Sequence, residues 1–494
     1  MERLIRNVLP LALILSLAAC TAETGAPARE ETAAAGDTIP ITSASQEAIQ
    51  HYLAGRDLLE KLRGADGRQR FEQALALDDG FALAHLGMAN TSPSAQEFFA
   101  SLERAVAAAD GASEGERWMI LAAKAASDGD PEAQGTYLRQ LVDAYPADER
   151  AQNLLATYHF GRQEWIDAIR HYTEATEINP EFSPPYNQLG YANRAVGNYE
   201  EAEAAFKKYI EVLPDEPNPY DSYAELLMKL GRYEESIENY EKALEKDPDF
   251  VPSYVGIGNN HMFLGQPEEA RASFQKLSEV ARNDGQRRQA LFWTAVSYLH
   301  EGDWDAALAE LEKRYQIAAA SDDKPNLAGD SNLIGNVLLE QGDLDAAAAR
   351  FETAVATIEE ADVSEEVKEG TRRNHLFNQA RLALAAKDLA AAAASAEEYR
   401  QQVEARNIPF EVRRTHELAG ALALEQGDDD AALAELEQAN QQDPRILYLQ
   451  ALACQGKGDD AGRKEYAARA ANFNQLNLNL AFVKAEAEEL AEEG

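Results

Sequence analysis

The chain is expected to be all-α, a right-handed α-solenoid of about eleven or twelve antiparallel helix pairs. Three observations predict it. Pro146, Pro180, Pro214 and Pro248 recur at a constant spacing of 34 residues. Trp118, Tyr186, Tyr220 and Tyr254 open their units, and Ala122, Ala156, Gly190, Ala224 and Gly258 stand four places after that point. Gly129, Gly197, Gly231 and Gly265 then mark a turn in the same register. With 494 residues, 45% of them hydrophobic, the chain has the apolar surface for a long packed core and exceeds the size of one ordinary domain.

Met1 to Arg6 carries Arg3 and Arg6, and the uncharged run from Val8 to Ala19 follows. A bilayer-spanning helix needs about 20 apolar residues, so this shorter run reads as the core of a signal peptide over 1–19. It ends Leu17-Ala18-Ala19-Cys20, which resembles the bacterial lipobox and implies diacylation of Cys20. Each buried methylene of such a chain contributes roughly 0.8 kcal/mol, so two or three chains hold a protein on a membrane. Thr21 follows the cysteine. The absence of Asp there points to the outer membrane, facing the periplasm. Residues 20–45 are rich in Ala, Thr, Gly and acidic side chains without aromatics, and are expected to be a disordered tether.

The body begins with degenerate repeats over 46–114, where Gly55, Phe71 and Ala74 fit the register. Five units keep strict register over 115–284. Ala168, Ala202 and Ala270 followed by Tyr172, Phe206, Tyr240 and Phe274 complete their pattern. The physics is that small residues let two helices approach, and aromatic residues fill the space between neighbouring pairs. A proline closes the second helix because it cannot continue one. No pair buries its apolar face alone, so stacking supplies the core. Divergent units continue over 285–480, signalled by Gly302-Asp303-Trp304, Gly342-Asp343-Leu344 and Gly427 with Ala432 and Pro444. Residues 318–324 and 362–370 are expected to lengthen helices or loops. Leu480, Phe482 and Val483 are expected to cap the stack, and 481–494 reads as a solvated acidic tail.

Taken together, these residues make the chain similar to the tetratricopeptide repeat, in the manner of a bacterial lipoprotein. That resemblance implies a concave groove lined by first helices, with function residing there. The inward places fall one and five residues after the aromatic opener: Asn153 and Thr157, Asn187 and Tyr191, Asp221 and Glu225, Val255 and Asn259, and later Asn332 and Asn336. An amide offers both a donor and an acceptor, and in the resembled family asparagines at these places grip peptide backbone. The family's carboxylate clamp also needs lysines in adjacent units. Here only Arg194 and Lys229 lie nearby, while Asp221 and Glu225 oppose an acidic guest. A neutral or basic segment is therefore the expected partner.

The function expected is that of an envelope-anchored scaffold for a protein or peptide. Two other roles are a permanent subunit of an envelope assembly or secretion complex, and a regulatory partner of an envelope hydrolase. No catalysis and no cofactor or metal are expected. The net charge of −40 opposes nucleic acid, which requires a basic stripe. Two cysteines, Cys20 and Cys454, exclude a disulfide framework and a Cys-based zinc site. Cys454 falls where a repeat buries a small side chain and is expected to be inert. The eight histidines are scattered, with His159 equivalent to His261, as framework residues would be. Ser273-Phe274-Gln275-Lys276 matches an SxxK motif only by coincidence, on a second helix around a framework aromatic.

Overall fold

The computed structural model describes residues 38–404, 406 and 408–492. The signal peptide, Cys20 and most of the expected tether lie outside these residues. Among them the chain forms 25 α-helices and one short 3-10 turn, with no strand. Twelve antiparallel pairs run from Gln46–Glu60 with Gly64–Leu77 to Pro444–Lys457 with Asp460–Ala471, and a further helix, Leu478–Glu492, follows. The chain is an all-α solenoid. It divides into two compact units, the first ending at Leu226 and the second beginning at Leu227.

The repeat positions do the work their chemistry suggests. Gly129, Gly197, Gly231 and Gly265 take φ between 70° and 83°, the left-handed turn that glycine adopts without penalty. Gln163 and Lys387 make the same kind of turn at φ 62° and 60° without being glycine. Tyr172, Phe206, Tyr240 and Phe274 are wholly buried, as are Ala168, Ala202 and Ala270. The openers Tyr186, Tyr220 and Tyr254 each donate from the phenol to the carbonyl six residues back, at Pro180, Pro214 and Pro248, over 3.0, 3.0 and 2.9 Å. The proline thus ends a helix and supplies the acceptor that fixes the next one.

Later turns use a Gly-Asp pair. Gly302, Gly342, Gly427 and Gly458 are left-handed. The aspartate after each caps the following helix by accepting from the N–H three residues on, at 3.0, 3.1, 3.1 and 3.0 Å. Each such cap contributes about 1 kcal/mol. The stretched spacing of this region lengthens helices rather than loops: Trp304–Ala320, Lys324–Gln341 and Glu365–Ala385 have 17, 18 and 21 residues.

Two segments depart from expectation. Residues 38–45, assigned above to the tether, are held against the first repeats. Ile39 N donates to Asp148, Thr42 N to Glu116 and Ala44 N to Asp78, at 2.9, 2.8 and 2.8 Å. Their backbone donors find carboxylates, which composition does not reveal. The expected acidic tail is likewise a helix, Leu478–Glu492. Leu480, Val483, Ala487 and Leu490 form one buried stripe on it at helical spacing. Phe482 and Val483 join Ala295, Leu299, Ile334 and Val337 in one cluster, and Leu480 joins Met262, Phe274 and Val296 in another. The end of the chain therefore packs on first helices of its own unit, while its glutamates face outward.

The remaining reactive side chains are mostly framework. His159 Nδ1 lies 2.6 Å from Glu164 and His261 Nδ1 2.7 Å from Gln266, the same five-residue link in two repeats. Ser273 donates to its own helix at Glu269 O over 3.1 Å, and Lys276 is exposed. Cys454 is buried, and burial pushes its thiol up. Labelling of Cys454 in the folded protein should therefore be at least a hundredfold slower than in denaturant. Comparable rates in the two states would show that this part of the stack is open.

Candidate functional site

First helices of neighbouring pairs touch one another within each unit, for example Gln46–Glu60 with Ala82–Asn90 and Asp284–His300 with Val251–Phe263. They therefore form the inner face. In the first unit this face carries Asn153, Asn187, Tyr191, Arg194, Asp221 and Glu225. Asn153 is half-buried and Asn187 is 6% exposed, and the side-chain carbonyl oxygen of each is buried without a hydrogen-bond partner among the described residues. These two positions are one repeat apart. A buried acceptor left unpaired costs about 1–3 kcal/mol, and native proteins keep few of them.

Tyr191 links this row to the next repeat. Its phenol donates to Glu225 at 2.6 Å and can accept from the Ser222 hydroxyl at 3.2 Å, and the Arg194 guanidinium lies 4.8 Å from its ring centroid. Burial, reinforced by the Glu225 charge, pushes that phenol well above its ordinary range. Thr157 is spent on the backbone carbonyl of Asn153 at 2.8 Å and on the Tyr172 hydroxyl at 3.2 Å. Asp221 is buried at 4% exposure. The face thus presents acceptors and carboxylate, with one guanidinium at Arg194.

The second unit treats its corresponding residues differently. Asn259 is buried with its carbonyl oxygen unpaired, as in the first unit. Asn332 instead accepts from Asn378 at 3.2 Å, and Asn336 accepts from Arg381 at 2.6 Å. Those amides are already engaged by the neighbouring repeat. The helix Leu478–Glu492 packs Phe482 and Val483 against Ala295, Leu299, Ile334 and Val337 of first helices, and Phe482 also stacks on Trp304, which opens a second helix, with ring centroids 5.8 Å apart.

Sequence reasoning missed a cluster of arginines behind Asn336. Arg381, Arg413, Arg414 and Arg445 line a cavity of about 470 Å³, together with Phe377, Phe410 and Phe482. They come from three first helices, Glu365–Ala385, Pro409–Gln426 and Pro444–Lys457. The Arg413-Arg414 doublet is one of three in the chain, with Arg287-Arg288 and Arg372-Arg373, so no local signal singles the cavity out.

Tetratricopeptide-repeat family models match residues 171–204, 224–265 and 255–324. No curated protein matches the chain. Among solved structures, a tetratricopeptide repeat protein from Parabacteroides merdae is 18% identical, with a TM-score of 0.40 over 53% of this chain and 99% of its own. MamA is 22% identical over 32% of this chain and 94% of its own, TM-score 0.31. YrrB, described as a TPR protein with an unusual peptide-binding site, is 19% identical over 36% of this chain and 91% of its own, TM-score 0.29. Residues 171–204 and 224–324 are thus tetratricopeptide repeats, and the described helices on either side of them stack in antiparallel pairs as well.

Proposed function

We propose that the chain is an envelope-anchored scaffold, held on the outer membrane through Cys20, that binds an extended segment of a partner protein on the inner face of its first unit. The observation that carries this reading is the pair of buried, unpaired amide oxygens at Asn153 and Asn187, one repeat apart. A guest backbone supplies N–H donors, so binding with the two amides turned outward removes a desolvation cost that the free protein bears. Glu225 and Asp221 favour a neutral or basic guest over an acidic one. The scaffold needs no catalytic group, and its repeat fold is of the protein-interaction kind.

A photoreactive residue in place of Arg194 should crosslink in cells to one or two envelope proteins. The same residue at the exposed, second-helix position Glu201 should not. Equal adducts from both positions would remove the inner-face reading. Replacing both Asn153 and Asn187 with Ala should weaken partner capture at least tenfold without lowering thermal stability, because neither amide oxygen has an internal bond to lose. Anchoring is tested separately: Cys20→Ala should move the protein from the membrane fraction to the soluble one. A membrane-bound Cys20→Ala chain would exclude lipid attachment at that residue.

A further inference from the structure

The cavity in the second unit is cationic inside a chain of net charge −40. Its charges can be counted. Glu340 is shared by Arg381, at 2.8 Å, and by Arg445. Glu340 stands behind the wall, while Glu417 and Asp443 belong to it. Burial, followed by the Glu417 charge, pushes the Asp443 carboxyl up to about 6, so it is mainly anionic at neutral pH. Four guanidinium groups therefore face three carboxylates, and one positive charge is left over.

That surplus sits on Arg413 and Arg414. The Arg413 Nε is buried and has no hydrogen-bond partner among the described residues. Arg414 donates at 3.0 Å to the neutral amide of Asn374, not to a carboxylate. Its guanidinium lies 3.5 Å from the Phe377 ring centroid. Beside it Phe410 is 48% exposed, a large apolar side chain left in water at the rim. Both arginine side chains are half-buried, and a partly desolvated guanidinium without a counter-charge gains from an anion that pairs with it. A volume of about 470 Å³ lies in the range of small-molecule sites.

We propose that this cavity binds a small organic monoanion, a carboxylate carried on an aromatic or apolar body. Arg413 and Arg414 meet the carboxylate, for which their planar forks are matched. Phe377, Phe410 and Phe482 cover the body. A phosphate dianion carries one charge more than the wall can neutralise, so a monoanion is preferred. This assignment is independent of the inner-face reading of the first unit and goes beyond it.

The test is calorimetric titration of the full chain at pH 8.5, where phosphate is the dianion, with phenylacetate, its neutral isostere phenylacetamide and inorganic phosphate. Phenylacetate should bind, with phenylacetamide and phosphate each at least tenfold weaker. Arg413→Gln should lower phenylacetate affinity at least tenfold while leaving the unfolding midpoint unchanged, since that side chain has no internal partner to lose. Phe410→Ala should also weaken phenylacetate and leave the fold intact. Equal binding of acid and amide, or an unaffected Arg413→Gln protein, overturns the proposal. Phosphate binding as tightly as phenylacetate would reduce the cavity to an unselective anion site. A hexapeptide ending in a phenylalanine carboxylate separates the sources: if it binds and phenylacetate does not, the small-acid assignment fails. None of these failures alters the crosslinking expected from position 194.

Discussion

Gly258→Ala should destabilise the second unit by about 3 kcal/mol, the upper end of what overpacking costs. The usual sign is the opposite, because alanine is favoured over glycine in a helix interior by about 1 kcal/mol. Here there is no room for the methyl group. A Cβ at Gly258 would lie 2.2 Å from Cε1 and 2.5 Å from Cζ of Phe274, a ring with no exposed surface. On the same helix a Cβ at Gly256 would lie 2.1 Å from Cζ of Tyr240, which is also fully buried. The helix Val251–Phe263 is thus clamped between two rings, one from the preceding pair and one from its own. Gly256→Ala should behave like Gly258→Ala. Gly329→Ala is the control: nothing lies within 4 Å of its added methyl, and it should stabilise by roughly 0.5–1 kcal/mol. Urea unfolding midpoints decide the matter. A Gly258→Ala midpoint equal to or above that of the parent would show that Phe274 has space to move.

Gly258 also shows how far sequence carries. Its spacing from Tyr254 and Phe274 is enough to place it on a first helix against an aromatic, and the packing obeys that rule. Local signals of this sort are legible because a repeat restates its own geometry every 34 residues. The Gly-Asp turns of the divergent region are legible for the same reason. What is not legible depends on partners far apart in the chain. Ile39 meets Asp148 across 109 residues, and Tyr233 meets Asn474 across 241. No periodicity encodes those pairs. The helix Leu478–Glu492 was readable in principle from Leu480, Val483, Ala487 and Leu490, but its acidic composition masks the stripe. At the inner face, sequence places Asn153, Asn187 and Asn332 alike; only the structure separates the unpaired two from Asn332, which Asn378 has engaged. The arginine cavity is assembled from three helices and has no motif of its own, since Arg413-Arg414 is one of three such doublets.

Glu340→Gln should cost the second unit about 3–5 kcal/mol, the range for removing one member of a buried ionic group. Glu340 stands near the end of the helix Lys324–Gln341 and bridges Arg381 and Arg445, which belong to two other first helices. Glutamine keeps the shape but removes the carboxylate that bridges the two guanidinium groups, leaving only Glu417 and Asp443 to offset them. The loss comes from that undercompensated pair, so replacing the whole trio by apolar residues should be far less damaging than the single change. The pH dependence identifies the cause. Burial by itself raises the Glu340 carboxyl, but Arg445 and Arg381 outweigh it, and the folded value lies below the ordinary 4.5. A carboxylate lowered on folding stabilises above its unfolded value, and that contribution is lost as pH falls below 4.5 and through the folded value. Glu340→Gln should flatten this part of the acid limb. Asp330, between Arg288 at 2.8 Å and Arg314 at 2.9 Å, has the opposite sign, because burial outweighs its partners and raises its carboxyl. Its contribution therefore improves as pH falls from neutrality towards its ordinary 3.8. Asp330→Asn should steepen the loss of stability on acidification where Glu340→Gln makes it shallower. The same slope in both variants would mean that neither carboxylate controls the acid limb, and that the ionic trio around Glu340 is held by packing instead of charge.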